Sequence, residues 1–319
     1  MNVAEMLKNV KAECHPVTNI DSIIIRWLDR GQKVMASKKN FSWLRKTGFS
    51  LATVANQELY AFSYLVDNSK QIVVYNTDSP QYVNRIDEMW YRIYNPGPNS
   101  TGTPFVMRFV DFWPVQNQPT SSSVLTLVSS SVADSTQTVR IQGLDSNDMT
   151  VNDTVTLTGT TPVASTQSFK TVLSLSKSAT TTGVVTITSN SGGVTNVRIP
   201  AGEKTLQHPV FRLFSIPDGV YTLYYDFYLK LPTLNISTDI SLVPEQYHDA
   251  IELYAKYNCY KHLNNQSMFQ AVKAEFDMRC AEIIKDDTPQ SGIWMRDDVL
   301  WPDDVLFGPF LPGNYPRGT

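Results

Sequence analysis

The sequence changes character abruptly near Pro119 and changes back near Lys204. Within that stretch roughly two residues in five are Ser or Thr, Phe169 is the sole aromatic, and Trp, Tyr and Cys are missing. All six tryptophans and all fifteen tyrosines lie outside it. A segment so poor in large side chains can build a core only from many small β-branched ones, and these favour strands over helices. The runs 124–128, 138–141, 154–158, 171–175 and 184–188 supply them, parted by Gly, Asn, Asp and Ser. Their spacing predicts a β-sandwich of immunoglobulin-like size over 119–205, inserted into another domain. A disordered Ser/Thr linker would lack such runs.

The flanks carry helical stripes. Ile20, Ile23, Ile24, Trp27, Leu28, Val34 and Met35 recur at three- and four-residue spacing, with Gly31 on the same stripe. That predicts an amphipathic helix over about 20–37, capped by Thr18 or Asn19, with Asp21 as the first-turn acid. Gly31 would admit a second helix at close range. Residues 3–13 suit a short first helix, and 38–46 form an elbow of basic groups flanking Phe41 and Trp43. Runs 49–54 and 59–64 read as a hairpin about the turn 55–57, and 71–75 and 105–113 as further strands; 88–94 suits helix or strand. Residues 208–214 and 220–231 read as strands joined through Ile216-Pro217-Asp218-Gly219. Stripes over 244–263 and 268–285 predict an antiparallel helix pair.

Residues 286–319 match no period. They set Trp294, Trp301, Phe307, Phe310 and Tyr315 among prolines, glycines and six aspartates. Such a composition predicts an extended arm that lays its rings on a neighbouring surface. The fold class expected is therefore α+β: a helical bundle with small antiparallel β elements, an inserted immunoglobulin-like sandwich and a C-terminal arm. Residues 1–118 and 206–285 would form one discontinuous core domain, 119–205 the insert and 286–319 the arm.

A net charge of −3 over 319 residues argues against a general nucleic-acid binder. Cys14, Cys259 and Cys280 show no CxxC spacing and fit a chain made in a reducing compartment. The first sixteen residues hold no apolar signal core, and no run is long enough to span a membrane. His15, His208, His248 and His262 show no zinc-ligand spacing, and the phosphate-loop, dinucleotide and nucleophile-elbow motifs are absent from the sequence. The aspartate pairs 286–287, 297–298 and 303–304 lack the calcium-loop pattern. The expectation is no enzyme, no metal and no cofactor. One charge asymmetry stands out. Arg26, Arg30, Lys33, Lys38, Lys39, Arg45 and Lys46 make the early region basic, and the six tail aspartates oppose them. Solvated faces, contact of the elbow with an acidic tail or partner, and contact with DNA phosphates are the three readings of it.

Several stretches resemble the head-to-tail adaptor (connector ring) proteins of tailed bacteriophages: residues 24–32, Phe41-Ser42-Trp43-Leu44, 51–60, the proline-turn segment 211–225, and the helix start 243–251. The resemblance covers most of 1–115 and 208–285. Residues 119–205 sit where that family continues straight into a proline-turn hairpin, and the arm exceeds the shared core. The resemblance implies a ring, commonly of twelve copies, that docks on the portal and extends the channel for double-stranded DNA without sequence-specific binding. It also implies a platform for tail and nozzle proteins, at the neck of the virion after assembly in the host cytoplasm, with no membrane. The arm's aromatics would then be the portal or neighbour anchors. An alternative is a receptor- or glycan-binding virion module acting through the inserted sandwich; its shortage of aromatics counts against that.

Overall fold

The computed structural model describes residues 1–15, 20–67, 70, 72–76, 81–94, 100–189 and 195–287. Its helices are α1 (Val3–Cys14), α2 (Asp21–Ser37), α3 (Glu88–Tyr94), α4 (His248–His262) and α5 (Gln266–Asp286). The strands begin with β1 (Arg45–Ala52), β2 (Leu59–Ala61), β3 (Val73–Asn76), β4 (Gln81–Arg85) and β5 (Val106–Trp113). Next come β6 (Ser123–Ser129), β7 (Thr138–Leu144), β8 (Thr150–Thr156), β9 (Val163–Phe169) and β10 (Thr171–Lys177). The last are β11 (Val185–Ser189), β12 (Thr195–Ile199), β13 (His208–Phe214) and β14 (Thr222–Tyr228).

Among the described residues strands hold 36% and helices 29%, which corrects the expected fold class. The molecule is mostly β, not a helical bundle with an immunoglobulin-like insert. The short alternating runs taken for accessory elements instead build the largest sheet, seven strands in the order β1-β14-β3-β4-β5-β13-β2. All its neighbours are antiparallel except β4 and β5. Both expected hairpins are also corrected. β1 pairs with β14 and β2 with β13, so each connection crosses the sheet without closing a two-stranded ribbon. The two connections hold each other: Thr53 N–H donates to the Tyr221 carbonyl at 2.9 Å and Asn56 N–H to the Pro217 carbonyl at 2.8 Å. The sheet curls over one aromatic core, where Phe62 stacks on Phe211 at 4.2 Å and meets Tyr225 of β14 at 4.8 Å.

The helices form a second layer. α1 opens with a capping box between Asn2 and Glu5. α2 starts at Ile20 without a side-chain cap, and Asp21 pairs with Lys11 at 2.6 Å. The expected caps Thr18 and Asn19 lie outside the described residues. α4 is central, with α1, α2 and α5 packed on it. Gly31 makes the α2–α4 approach: a Cβ there would meet the Tyr254 Cβ at 3.0 Å and the Ile251 carbonyl at 3.2 Å. Replacing Gly31 by Leu will therefore force the helices apart and cost about 2–3 kcal/mol, read as a lower denaturant midpoint. An unchanged midpoint would mean that α2 and α4 do not meet there. Gln32, fully buried, ties α2 to the linker between β14 and α4 by donating to the Pro232 carbonyl at 2.8 Å and accepting from the Ser241 hydroxyl at 2.8 Å.

Two further sheets, β10-β7-β8 and β12-β11-β6-β9, share one aliphatic core with Phe169 at its centre. Val115 and Leu206, from outside those strands, complete it, and Tyr64 packs against it from the seven-stranded region. His208 stands at this junction, 2% exposed, donating from Nδ1 to the Phe62 carbonyl at 3.0 Å and meeting Tyr64 edge-on. Burial pushes its imidazole down to about 4, so the ring is neutral at physiological pH.

Candidate assembly surface

The elbow is a rigid joint. Phe41 and Leu44 are buried, Trp43 stacks on Phe41 at 5.3 Å, and residues Ser42–Leu44 form one 3-10 turn. Lys70 closes the end of α2 by donating to the carbonyls of Ala36 and Lys39, both at 2.7 Å. Free carbonyls at a helix C-terminus favour a cation there.

The seven basic residues do not form one patch. Lys33 is held by Asp29 at 2.7 Å and reaches Thr233 at 3.2 Å. Arg45 lies 3.5 Å from Asp226. Lys39 donates to the Ile284 carbonyl at 3.4 Å and lies 3.8 Å from Asp287. Lys38 is exposed near Cys280, whose thiol burial pushes up to about 11 against the pull of that lysine. Arg26, Arg30 and Lys46 are exposed, with no ion-pair partner among the described residues.

What the elbow does bring together is the root of the C-terminal segment. Asp287 follows α5, and its carboxylate accepts from the Ser42 N–H at 3.0 Å and from the Ser42 hydroxyl. Its side chain is only 5% exposed. Sequence reasoning read the tail aspartates either as solvated or as meeting the basic elbow, and gave Ser42 no role. The partner lies 245 positions away, so no local pattern announces the joint. Trp294, Trp301, Phe307, Phe310 and Tyr315 lie outside the described residues.

Three surfaces are left open around this joint. β1 is an edge strand, exposed at every position except the half-buried Leu51, and bulged at Gly48 with φ +78. α5 buries only Val272, Phe276, Cys280 and Ile283. Beside the elbow an open cleft of about 270 Å³ is lined by Lys33, Lys70, Lys230 and Asp67 over Leu44 and Leu231.

The imidazoles of His208 and His248 are buried and turned to backbone carbonyls. Among the described residues no three His, Cys, Asp or Glu side chains gather as a metal site. Phe169, the one aromatic of the Ser/Thr-rich segment, is wholly buried, so no ring there faces a ligand.

A family model described as SU10 adaptor protein matches residues 124–297, more than half of the chain. The match runs through the Ser/Thr-rich sheets and on through β13, β14, α4 and α5. The segment set aside as a departure from the family is thus inside the matched span. No curated protein matches the chain.

Proposed function

The chain belongs to the SU10 adaptor protein family, a family of phage adaptors, and from that membership we propose that it joins the phage head to the tail as a ring on the portal. Membership implies a structural role in the virion and association with other virion proteins. No helix among the described residues is long and apolar enough to cross a membrane. In the proposed assembly about twelve copies surround the DNA channel at the virion neck, double-stranded DNA passes without sequence readout, and tail components build on the lower face. The protein performs no catalysis in this reading.

The observation that carries the reading is the joint at Asp287. A binding arm gains affinity when its root is held on a rigid element and loses it when the root must be ordered on docking. Asp287, clamped by Ser42 and Lys39, supplies that fixed root. Trp294, Trp301, Phe307, Phe310 and Tyr315 then serve as the anchors that enter portal pockets, since buried aromatics commonly dominate interface energy. The glycan-binding alternative has lost its one aromatic to the core.

The test is the mass of the purified chain with and without portal rings, by native mass spectrometry. The expected result is a discrete complex with one adaptor per portal subunit. Portal rings that take up no adaptor at micromolar concentration would overturn the proposal.

A further inference from the structure

We infer that a row of tyrosines on the outer face of β14, β3 and β4 is the resting berth of the chain's own C-terminal arm in the free subunit. Tyr224 is paired with Tyr75, and Tyr75 with Tyr82, so the three rings stand side by side across three strands. The rings of Tyr75 and Tyr224 stack at 5.6 Å and 16°. Tyr82, at the end of the row, is 67% exposed. Ser50 of β1 continues the row on the other side. The inward-facing neighbours Leu223, Tyr225, Val74 and Val83 are buried in the aromatic core, which leaves the row on the opposite face. None of the three hydroxyls has a hydrogen-bond partner among the described residues. A contiguous aromatic face of this kind on one sheet marks an interaction surface.

The occupant is identified by where the chain leaves the structure and by what it carries. The arm departs from Asp287, which is clamped to Ser42, three positions before β1. The path from Asp287 to Asp297 can reach up to about 35 Å when extended. The row and β1 together span only about 15 Å of strand spacing.

The arm holds a repeated unit, Asp297-Asp298-Val299-Leu300-Trp301 followed after Pro302 by Asp303-Asp304-Val305-Leu306-Phe307. Each half suits the row chemically. Its carboxylates accept from tyrosine hydroxyls, while Val, Leu and the aromatic cover the ring edges. The interspersed prolines favour extended segments, which dock readily on aromatic-lined surfaces. Tethering supplies the rest, because a short linker holds the arm near the row at an effective millimolar concentration.

The contact itself does not depend on the adaptor reading. That portal rings would compete for the same arm does rest on it.

Limited trypsin digestion of the full chain tests the berth, because Arg296 immediately precedes the repeat. Cleavage after Arg296 is expected to be slow in the native protein. It should quicken about tenfold in Tyr75→Ser/Tyr82→Ser/Tyr224→Ser, since proteolysis follows the population of the open form. Tyr82→Ser alone, at the most exposed ring, should give an intermediate rate without threatening the fold. Trp301→Ser/Phe307→Ser should match the triple variant from the arm's side. Equal Arg296 cleavage rates in all of these proteins would overturn the inference. Protection that grows with protein concentration would overturn it too, by assigning the row to the arm of a second copy. Portal uptake by the tyrosine variants, measured by mass, separates the two ideas: the adaptor reading fails only if uptake is missing.

Discussion

A chain ending at Asp287 will lose affinity for portal rings by at least about a hundredfold, while its unfolding midpoint stays within about 2 °C of the full-length value. The first half follows from interface energetics. Truncating one well-buried aromatic anchor costs on the order of 2 kcal/mol, and five such rings lie beyond residue 287. Two of them seated in pockets already account for roughly a thousandfold. The second half follows from packing. The helical core closes with Phe276, Cys280, Ile283 and Ile284, all retained. The Asp287 clamp on Ser42 is retained as well, so the elbow keeps its brace. Surface plasmon resonance against immobilised portal measures the first quantity and differential scanning calorimetry the second. Undiminished binding by the truncated chain would remove the arm from the interface. A collapse of the midpoint would instead show that the arm belongs to the core.

How much of this was legible beforehand differs by element. The α2 stripe was readable because each apolar residue advances by a helical turn, and Gly31 was readable because a gap in that stripe has one structural use. Strand partners were not. Alternation with period two says which face a residue takes but not which strand lies beside it, so Thr53 and Tyr221, 168 residues apart, read as parts of two separate hairpins. β9 escaped because Ser165, and β12 because Asn196, takes a buried place expected of an apolar residue. The elbow was legible as an aromatic-basic cluster that an acidic tail could meet, but neither the aspartate nor its Ser42 partner was. Asp287 looks like any tail aspartate until α5 returns it to Ser42. Lys177 and Asp134 carry no signal of their own in a polar segment, and both are buried.

Replacing Asp134 by Ala will destabilise the Ser/Thr-rich sheets by about 4 kcal/mol or more, a loss comparable to truncating a large apolar side chain in that core. Its carboxylate is fully buried and accepts three hydrogen bonds: from the Ser129 hydroxyl at 2.5 Å, the Thr182 N–H at 2.7 Å and the Gly183 N–H at 2.9 Å. Gly183 permits that approach, because a Cβ there would meet the Ser131 nitrogen at 2.6 Å. Alanine leaves the three donors without their acceptor, at roughly 1–3 kcal/mol each.

It also removes a countercharge from Lys177, which is 3% exposed and donates to Thr181 at 2.8 Å, the Pro200 carbonyl at 2.8 Å and the Ala201 carbonyl at 3.1 Å. Burial pushes that ammonium down to about 8 against the pull of Asp134 and Glu203. Between pH 8 and the unfolded value of 10.5 the unfolded chain keeps a proton that the folded chain has released. Stability attributable to Lys177 therefore rises with pH across that window, by up to about 3 kcal/mol.

Asp134 acts at the other end. Burial pushes its carboxyl up, but the bonds from Ser129, Thr182 and Gly183 and the charge of Lys177 outweigh this and hold it below its ordinary 3.8. Its contribution is complete above that value and is lost as the pH falls further. Urea unfolding from pH 7 to 10 should thus show a rise in the stability of the native chain relative to Lys177→Met, a difference in which the falling contribution of buried thiols such as Cys280 cancels. In Asp134→Ala the rise should begin below pH 8. A difference between the native chain and Lys177→Met that stays level from pH 8 to 10 would mean that Lys177 keeps its proton, and that the ammonium is less enclosed than its three carbonyl and hydroxyl partners require.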